Sequence, residues 1–519
     1  MRKFDPMLFS VRIKRLFSAF LAAAAALSAT ASDTDSLFYS ATAIGGGASR
    51  EFNPYMLGSW NYGRTVAANN ALLDLSVIKP LDLGRRFSWS AGVEALGGYA
   101  SKADYRIWDA DAKAYTVSRQ GPPAAWLQQL YASVKFRGVF LTAGLKEEHS
   151  PLVDERLSSG DLVHSNNARP VAQVRVGFVD FQNIPFTRGW AQIEGVLAYG
   201  RMCQGKYLEN RFNRYNGIIN TGSLYTYKRI YFRSKPTEPL VVTIGMQSGG
   251  LFGGTTSTYA YGVKTQEIKY SRGIKAFWNM LFPTNGNDGT YYEGSSLGSW
   301  DFRASYRFRG GHTLTGYFQW LWEDGSSMAK RNKSDGLWGI RYTREDGRRH
   351  LLEGAVAEYI DFRDQSGPLH YAPGDWNADI PTEATGGDNY YNNDTQNSWA
   401  HFGMSMGTPF VLSPVYNLDG SLQFKHTRSR GFHAAACGSL SQTVGWKAAV
   451  SYAVAWGEGR FHYPHPLHNT SAMFKADYRA DALLRGLSAS AALAFDAGSL
   501  RGNNWGALFT ITYSGSLVF

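Results

Sequence analysis

Alternation of apolar and polar residues dominates the chain from about Leu72 onward. Over 300–309 every even position is apolar or aromatic, and every odd position is charged or serine. A period of two is typical of a strand that has one apolar face and one polar face. The same pattern recurs over 87–99, 444–456 and 487–495. These stripes predict an all-β protein.

The length of the stripes separates two kinds of β protein. Strands of a soluble sandwich usually have about 5–6 residues, whereas strands that cross an outer membrane need roughly 9–11. Many stripes here reach ten residues or more, and some end in aromatic residues such as Trp320 and Trp322, as in the aromatic girdles of membrane barrels. An outer-membrane barrel is therefore favoured over a sandwich.

The C-terminal segment and the turn lengths support the same prediction. Residues 505–519 alternate without a break and end in Phe519, which resembles the closing strand of outer-membrane proteins. Short turns and long connections alternate from Leu72 to the end, as in barrels whose long loops lie outside the cell. We predict a transmembrane antiparallel β-barrel of about 18 strands. Residues 32–69 have no clear period and are expected to form an irregular N-terminal segment.

Long connections are expected to close this barrel. Segments 248–298 and 363–429 are long excursions at the predicted barrel mouth, and 271–281 has the apolar spacing of a short amphipathic helix. Long ordered excursions usually fold over or into a barrel mouth. The lumen is therefore expected to be occluded by long loops and a short helix, with 32–519 forming one barrel domain.

The N-terminus indicates export. Five basic residues precede an apolar stretch over 16–27, and Ala29-Thr30-Ala31 has the small-x-small pattern of a cleavage site. Residues 1–31 are predicted to be a signal peptide cleaved after Ala31, with a retained anchor as the alternative, and the mature protein is expected in a bacterial outer membrane. Cys203 and Cys437 are interpreted as small residues on strands, with a single bridge as the alternative.

Composition removes other classes. The 519 residues are 14% aromatic and 18% charged, with a formal charge of +11, which excludes a disordered or collagen-like chain. Past the N-terminus there is no run near the ~20 apolar residues that a spanning helix needs. The charge is not as dense as in a nucleic-acid arm, so no nucleic-acid partner is expected.

Three stretches carry a resemblance to a known family. Residues 157–163 (LSSGDLV), 165–170 (SNNARP) and 174–177 (VRVG) resemble the signature block of the Wzi capsule-assembly family. Residues 227–233 resemble its lysine-bearing strand, and Gly407-Thr408-Pro409 with Tyr416-Asn417 resembles its late loop. The resemblance implies an occluded barrel of about eighteen strands that acts as a surface lectin in capsule attachment, without covalent chemistry.

Candidate glycan contacts follow from chemistry and from the resemblance. Aromatic faces suit sugar rings, and Arg or Lys suits acidic polymers; the alternative is that the same residues only order their loops. Trp376 is one of the aromatic residues considered as a glycan contact. Asn166 begins a run of polar residues considered for the same role. The candidate polysaccharide-binding residues are Asn166, Asn167, Arg169, Arg175, Lys228, Arg229, Tyr390, Tyr391, Trp399 and His401.

Inward basic residues predict either a positive lumen or an ion-pair network that stiffens the wall. The basic residues are Lys135, Arg175, Arg229, Arg233, Arg303, Arg307, Lys475 and Arg479, and their acidic partners would be Glu94, Glu194, Asp301 and Asp477.

Signals for enzymes and metals are weak. Gly294-Ser295-Ser296-Leu297-Gly298 matches a serine-hydrolase elbow outside its strand-to-helix context. His462, His465 and His468 are better interpreted as exposed histidines than as a metal site, and Glu147-Glu148 beside His149 lacks a third group. No enzyme activity, cofactor or metal is expected.

The favoured function is a non-enzymatic, monomeric outer-membrane protein that binds surface or capsular polysaccharide in capsule assembly or attachment. The alternative is a porin or uptake channel for anionic solutes or oligosaccharides. Expected partners are the polysaccharide, outer-membrane lipid and, during biogenesis, the barrel assembly machinery.

Overall fold

The computed structural model describes residues 36–204, 206–282, 294–367, 387–459 and 461–518. The predicted signal peptide and its cleavage site lie outside the described residues, as does Trp376.

A closed antiparallel β-barrel forms the body of the protein. Its sheet contains 19 strands, of which the two-residue strand Gln182–Asn183 is a short addition paired to Ala191–Arg201, leaving an 18-strand wall. The first and last strands pair from Ser36 opposite Val518 to Ala48 opposite Gly506, which joins the two edges of the sheet. The wall strands are β1 Ser36–Ala48, β2 Asn70–Lys79, β3 Phe87–Ala100, β4 Ala125–Phe136, β5 Val139–Leu145, β6 Ala172–Phe178, β7 Ala191–Arg201, β8 Leu224–Ser234, β9 Leu240–Phe252, β10 Gly294–Arg307, β11 His312–Trp322, β12 Gly336–Arg344, β13 Gly354–Asp361, β14 Ser429–Ser439, β15 Val444–Gly457, β16 His462–Arg479, β17 Leu487–Gly498 and β18 Asn504–Val518.

The alternation seen in the sequence becomes an outside and an inside. On β10, Phe302 and Tyr306 are 43% and 46% exposed on the outer surface, whereas Asp301 is 0% exposed on the inner one. A large apolar surface facing outward all round a closed wall is what lipid contact requires. The barrel prediction is confirmed. The expectation that 32–69 is irregular is wrong, because β1 occupies Ser36–Ala48 and closes the wall.

Short turns and long connections alternate along the chain, as predicted. We call the end of the barrel that carries the long connections the extracellular end. Two of the connections at that end are shorter than expected. These two connections are only 458–461 and 499–503, because β16 begins at His462 and β17 runs to Gly498. At the other end 137–138 and 440–443 are typical turns.

Parts of three long connections fill the lumen, and we call 49–69, 146–171 and 387–428 of them the plug. They form one buried cluster with the wall, which includes Leu162, Trp399 and Phe424. The plug contains the short helix α1, Tyr55–Gly58, and a hairpin in which Ala400–His401 pairs with Met404–Ser405. The predicted occlusion by long connections is therefore present.

Polar contacts attach the plug to the wall. The buried carboxylate of Asp161 accepts hydrogen bonds from the side-chain amides of Gln247 on β9, at 2.9 Å, and Gln319 on β11, at 3.0 Å. On β13, Glu358 accepts hydrogen bonds from Ser158 Oγ at 2.6 Å and from the Ser159 amide at 2.7 Å. Buried charged groups are stable only when they are paired in this way.

The remaining elements lie at the extracellular end. Helix α2 spans Lys206–Arg211, α3 spans Ile274–Leu281 and α4 spans Gly325–Met328. Outside the wall sheet, Ala103–Asp109 pairs with Ala114–Gln120, and Gly217–Thr221, Gly254–Ala260 and Val263–Tyr270 form a three-stranded sheet. No helix in the described ranges is both long and apolar enough to cross a bilayer.

Helix α3 forms where the sequence predicts it, but it does not occlude the lumen. Met280 packs with Leu224 and Phe252, and Phe277 contacts Tyr199 edge to face at 5.4 Å between ring centroids. These wall side chains point away from the lumen, since they alternate with inward residues such as Gln247. The excursion after β9 therefore returns along the outside of the barrel.

Candidate functional site

A cleft beside Glu51 and Phe52 opens at the extracellular end, and its first chamber contains two arginines stacked between aromatic rings. The guanidinium carbon of Arg169 lies 4.5 Å from the ring centroid of Trp126 and 4.9 Å from that of Phe402. Arg211 lies 4.4 Å from the Tyr105 ring and 4.2 Å from the Tyr207 ring. Stacking covers the faces of a guanidinium and leaves its edge donors available.

Local backbone geometry presents these groups. Phe402 and Gly403 connect the two strands of the plug hairpin with positive φ angles of 50° and 73°, as in the tight turns that match strand twist. This turn carries the Phe402 ring onto Arg169. Tyr207 and Arg211 are four residues apart on α2, so they share one helix face.

Glu51 lines the first chamber but forms no ion pair with either arginine. No ion pair to Arg169 or Arg211 occurs in the parts of the chain that the structure describes, and Nε and Nη1 of Arg211 are buried without a hydrogen-bond partner there. Burial lowers the pKa of Arg169 to about 10, which still leaves it charged at neutral pH. An anionic group would satisfy these donors.

The second chamber lies on the other side of Glu51 and Phe52. It is lined by Tyr55, Tyr416 and Arg501, and the hydroxyls of both tyrosines are buried without a hydrogen-bond partner in the described chain. Burial raises the pKa of both tyrosines above the usual value, so both hydroxyls stay protonated. Two free hydroxyls beside a guanidinium suit a ligand with many oxygens.

Volume determines what each chamber can hold. The first chamber has a cavity volume of about 40 Å³, enough for a water or one carboxylate but not for a sugar ring, since a water takes ~30 Å³. The second has a cavity volume of about 220 Å³, which is below the ~300 Å³ of a typical small-molecule pocket. Together the chambers fit the edge of a polymer better than an enclosed small ligand.

The structure places the predicted aromatic residues inside the plug. Tyr390, Tyr391, Trp399 and His401 are all buried. Trp399 Nε1 donates to the Val163 carbonyl at 2.9 Å, and the Tyr391 hydroxyl donates to the Leu162 carbonyl at 2.8 Å. Their rings fill the core between plug and wall, which favours the alternative that these residues order their loops.

The predicted asparagines and wall residues are mostly committed to other contacts. Asn167 donates to the Ser405 carbonyl at 2.9 Å, and Asn166 is also buried in the plug. Arg175 pairs with Glu148 at 3.1 Å and Arg229 pairs with Glu194 at 2.8 Å. These ion pairs favour the stiffening network over an open positive lumen at these two positions.

Lys228 faces outward, where its ammonium group donates to the Leu281 carbonyl at the end of α3.

Of the predicted site residues, only Arg169 lines the cleft. Arg211, Tyr207, Tyr416 and Arg501 were not predicted. The spacing of Tyr207 and Arg211 on one helical turn was the available signal.

The weaker chemical signals find no support. Ser296 lies within β10 and not in a loop, so the elbow geometry is absent. His462, His465 and His468 all lie on β16 rather than in a loop. In the described ranges no group of three or more His, Cys, Asp or Glu could hold a metal ion. Cys203, just after β7, and Cys437, on β14, are both free.

Comparisons with known proteins bear on the fold. No protein-family model matches the chain, and no curated protein matches it. Among solved structures, Wzi of Escherichia coli, described as an outer-membrane protein involved in group 1 capsule assembly and as a carbohydrate-binding β-barrel, superposes with a TM-score of 0.54 at 11% identity, over 94% of this chain and 85% of that chain.

Two porin-like barrels superpose less closely. OccAB2 of Acinetobacter baumannii gives a TM-score of 0.47 at 8% identity, over 93% of this chain and 98% of its own. OprD of Pseudomonas aeruginosa gives 0.44 at 8% identity, over 95% and 98%. At such identities the likeness establishes the fold alone, which is that of an outer-membrane β-barrel.

Proposed function

We propose that this protein is a non-enzymatic outer-membrane protein that binds an acidic surface polysaccharide through the extracellular cleft. The observation that carries the proposal is the pair of aromatic-stacked arginines, Arg169 and Arg211, which form no ion pair with a described residue and lie at the closed mouth of a barrel. The fold likeness to Wzi, itself described as carbohydrate-binding, supports the same function. The Arg169 edge would hold a carboxylate, while the second chamber would receive hydroxyls of the neighbouring sugar.

The outer-membrane location and the signal peptide cleaved after Ala31 belong to this proposal. So does a role in capsule assembly or attachment, with the protein acting as a monomer. The plug argues against the alternative of an uptake channel, because its described residues pack against the wall and close the lumen.

Binding to purified polysaccharides tests the proposal. Uronic-acid-containing and neutral polysaccharides are immobilised and presented with the detergent-solubilised barrel at increasing salt. We expect retention on the acidic polymer only, with weaker binding as salt rises. Losing a charge-assisted contact costs about 1.5–3 kcal/mol, so Arg169→Gln or Arg211→Gln should weaken binding roughly tenfold or more.

The matched control is Arg485→Gln, which removes an equal charge from the exposed turn at the opposite end of the barrel. Each variant is first shown to be heat-modifiable, since only a folded barrel changes its gel mobility on boiling. Equal binding of neutral and acidic polymers, or unchanged binding by both cleft variants, would overturn the proposal.

A further inference from the structure

A groove on the outer surface of the wall is a second candidate site. It lies across β13–β16 at their extracellular ends and has a cavity volume of about 590 Å³. Its sides are apolar and aromatic, formed mainly by Tyr359, Phe432, Tyr452, Val454 and Trp456.

The groove faces away from the lumen. Phe432 and Tyr452 are 60% and 41% exposed, whereas their inward neighbours His433 and Ser451 are buried and hydrogen-bonded to each other at 2.6 Å. The groove is thus continuous with the apolar outer surface of the barrel. It lies in the part of that surface where an outer leaflet would meet water.

Cationic groups stand beside the apolar groove. The guanidinium carbons of Arg430 and Arg363 lie 5.5 and 5.9 Å from the Trp456 ring centroid. Arg363 is paired with Asp361 at 2.7 Å, but Arg430 has no ion pair with any described residue. His468 completes this edge, with Nδ1 2.9 Å from the Tyr452 hydroxyl.

We propose that this groove binds a phosphorylated acyl lipid of the outer leaflet. One acyl chain would lie along the aromatic and aliphatic walls, and a phosphate oxygen would accept hydrogen bonds from the edge of Arg430. Apolar surface below and an unpaired cation above match the order of acyl chain and phosphate in a leaflet. The inference rests on the outer-membrane location in the proposed function, and it does not depend on glycan binding at the cleft.

Native mass spectrometry of the full barrel tests the assignment. The protein is reconstituted in phosphatidylcholine nanodiscs that contain either bis-phosphorylated lipid A or its dephosphorylated form, released into detergent and weighed. We expect one lipid A to be retained, and the dephosphorylated form to be retained roughly tenfold less, because a charge-assisted contact is lost. Arg430→Gln and Trp456→Ala should each lower retention of lipid A to a similar extent.

Two controls separate this site from general lipid binding. Arg430→Lys keeps a point charge that can pair with phosphate and should retain more lipid A than Arg430→Gln does. Arg485→Gln, at the opposite end, should not change retention. If Trp456→Ala fails to become heat-modifiable, Arg430→Gln and Arg430→Lys still decide the question.

Three outcomes of the lipid measurements would overturn the proposal. These are equal retention of both lipids by the wild type, unchanged retention in Arg430→Gln, and release of lipid A by millimolar inorganic phosphate alone, which would indicate a simple anion site. A dimer that is lost in Phe432→Ala would also overturn it, since a second copy of the chain would then cover the groove. Failure here with intact polysaccharide binding would leave the proposed function standing.

Discussion

At the residue scale, the cleft depends on how arginine and aromatic side chains combine. An arginine between two rings is fixed in orientation, and its N–H edge can donate to a ligand. Glu51 borders the same chamber but pairs with neither Arg169 nor Arg211. Arg169 was predicted from the polar run around it. Arg211 was missed because its partners Tyr105 and Tyr207 come from distant segments that only the fold brings together.

The buried aromatic residues show why composition alone misplaces a site. A stretch rich in Asn, Asp, Tyr and Trp is equally typical of a glycan surface and of a hydrogen-bonded plug. The two cases differ in whether each ring is packed against other residues or exposed. The Trp399 ring packs against Gly249, where an added Cβ would come within 2.2 Å of the ring. That close approach depends on the tertiary structure and has no local signal.

His401 makes the plug sensitive to acid. Its Nδ1 donates to the Arg169 carbonyl at 2.8 Å, while Nε2 is buried without a partner in the described chain. Burial lowers the pKa of His401 to about 4, against ~6.5 in an unfolded chain. The unfolded segment therefore binds the proton more readily, so stability is full above about pH 6.5 and falls towards pH 4.

Hydrogen exchange of the 400–405 hairpin measures this effect. After correction for intrinsic rates, opening should become easier below about pH 6, and His401→Gln should reduce the dependence by up to ~1.4 kcal/mol per pH unit, the contribution of one proton. His465→Gln, an exposed histidine on β16, is the control. An unchanged pH dependence in His401→Gln would contradict the assignment to this residue.

At the element scale, α3 shows what periodicity can and cannot predict. The spacing of Ile274, Phe277, Trp278 and Leu281 predicts the helix, and Ile274–Leu281 is helical. Periodicity does not say which of two apolar surfaces the helix covers. Its Met280 side meets the wall, and the opposite side leaves Ile274, Trp278 and Phe282 exposed by 71%, 52% and 64%.

This exposed side of α3 is expected to contact lipid. An environment-sensitive NBD label at Trp278→Cys, in a background with Cys203 and Cys437 replaced by serine, should emit at shorter wavelength in liposomes than in water. The control label is at Tyr261→Cys, on the tip of the neighbouring hairpin. If both labels emit as in water, α3 does not lie against the bilayer.

Barrel closure can be tested at two adjacent glycines of β1. A Cβ at Gly46 would come within 2.6 Å of the Ala507 carbonyl oxygen on β18, whereas one at Gly45 would meet nothing within 4 Å. Overpacking of this kind costs about 1–3 kcal/mol, so Gly46→Ala should lower the denaturation midpoint of the refolded barrel. Gly45→Ala should leave it unchanged or raise it slightly, and equal losses in both variants would argue against the β1–β18 junction.

At the scale of the whole molecule, the sequence was most informative where lipid faces the chain. A wall between lipid and a polar lumen imposes a period of two on nearly every strand. The number of strands and the alternation of short turns with long connections could therefore be predicted. β1 could not, because three consecutive glycines, Gly45 to Gly47, interrupt its pattern. The plug could be anticipated only as long connections, since its packing obeys no period.

Whether the plug closes the lumen distinguishes a binding protein from a channel. The wild-type barrel in a planar bilayer should show no steady conductance, because the described plug residues fill the lumen and Asp161 is held by Gln247 and Gln319. Replacing 363–428 by a short Gly-Ser linker removes Trp399 and its neighbours from the core. A water-filled path should then appear, as in open barrels of similar strand number.

A milder variant guards against misfolding of the deletion. Gln247→Leu with Gln319→Leu leaves the Asp161 carboxylate without these two donors in a buried site, which destabilises the closed plug and should produce brief openings in a heat-modifiable barrel. The matched control, Gln192→Leu, alters an inward glutamine that contacts Arg233 and Asn183 instead of the plug. Steady conductance of the wild type would contradict a closed lumen. It would favour the uptake channel, because solutes would then pass through the barrel when no polysaccharide is bound at the cleft.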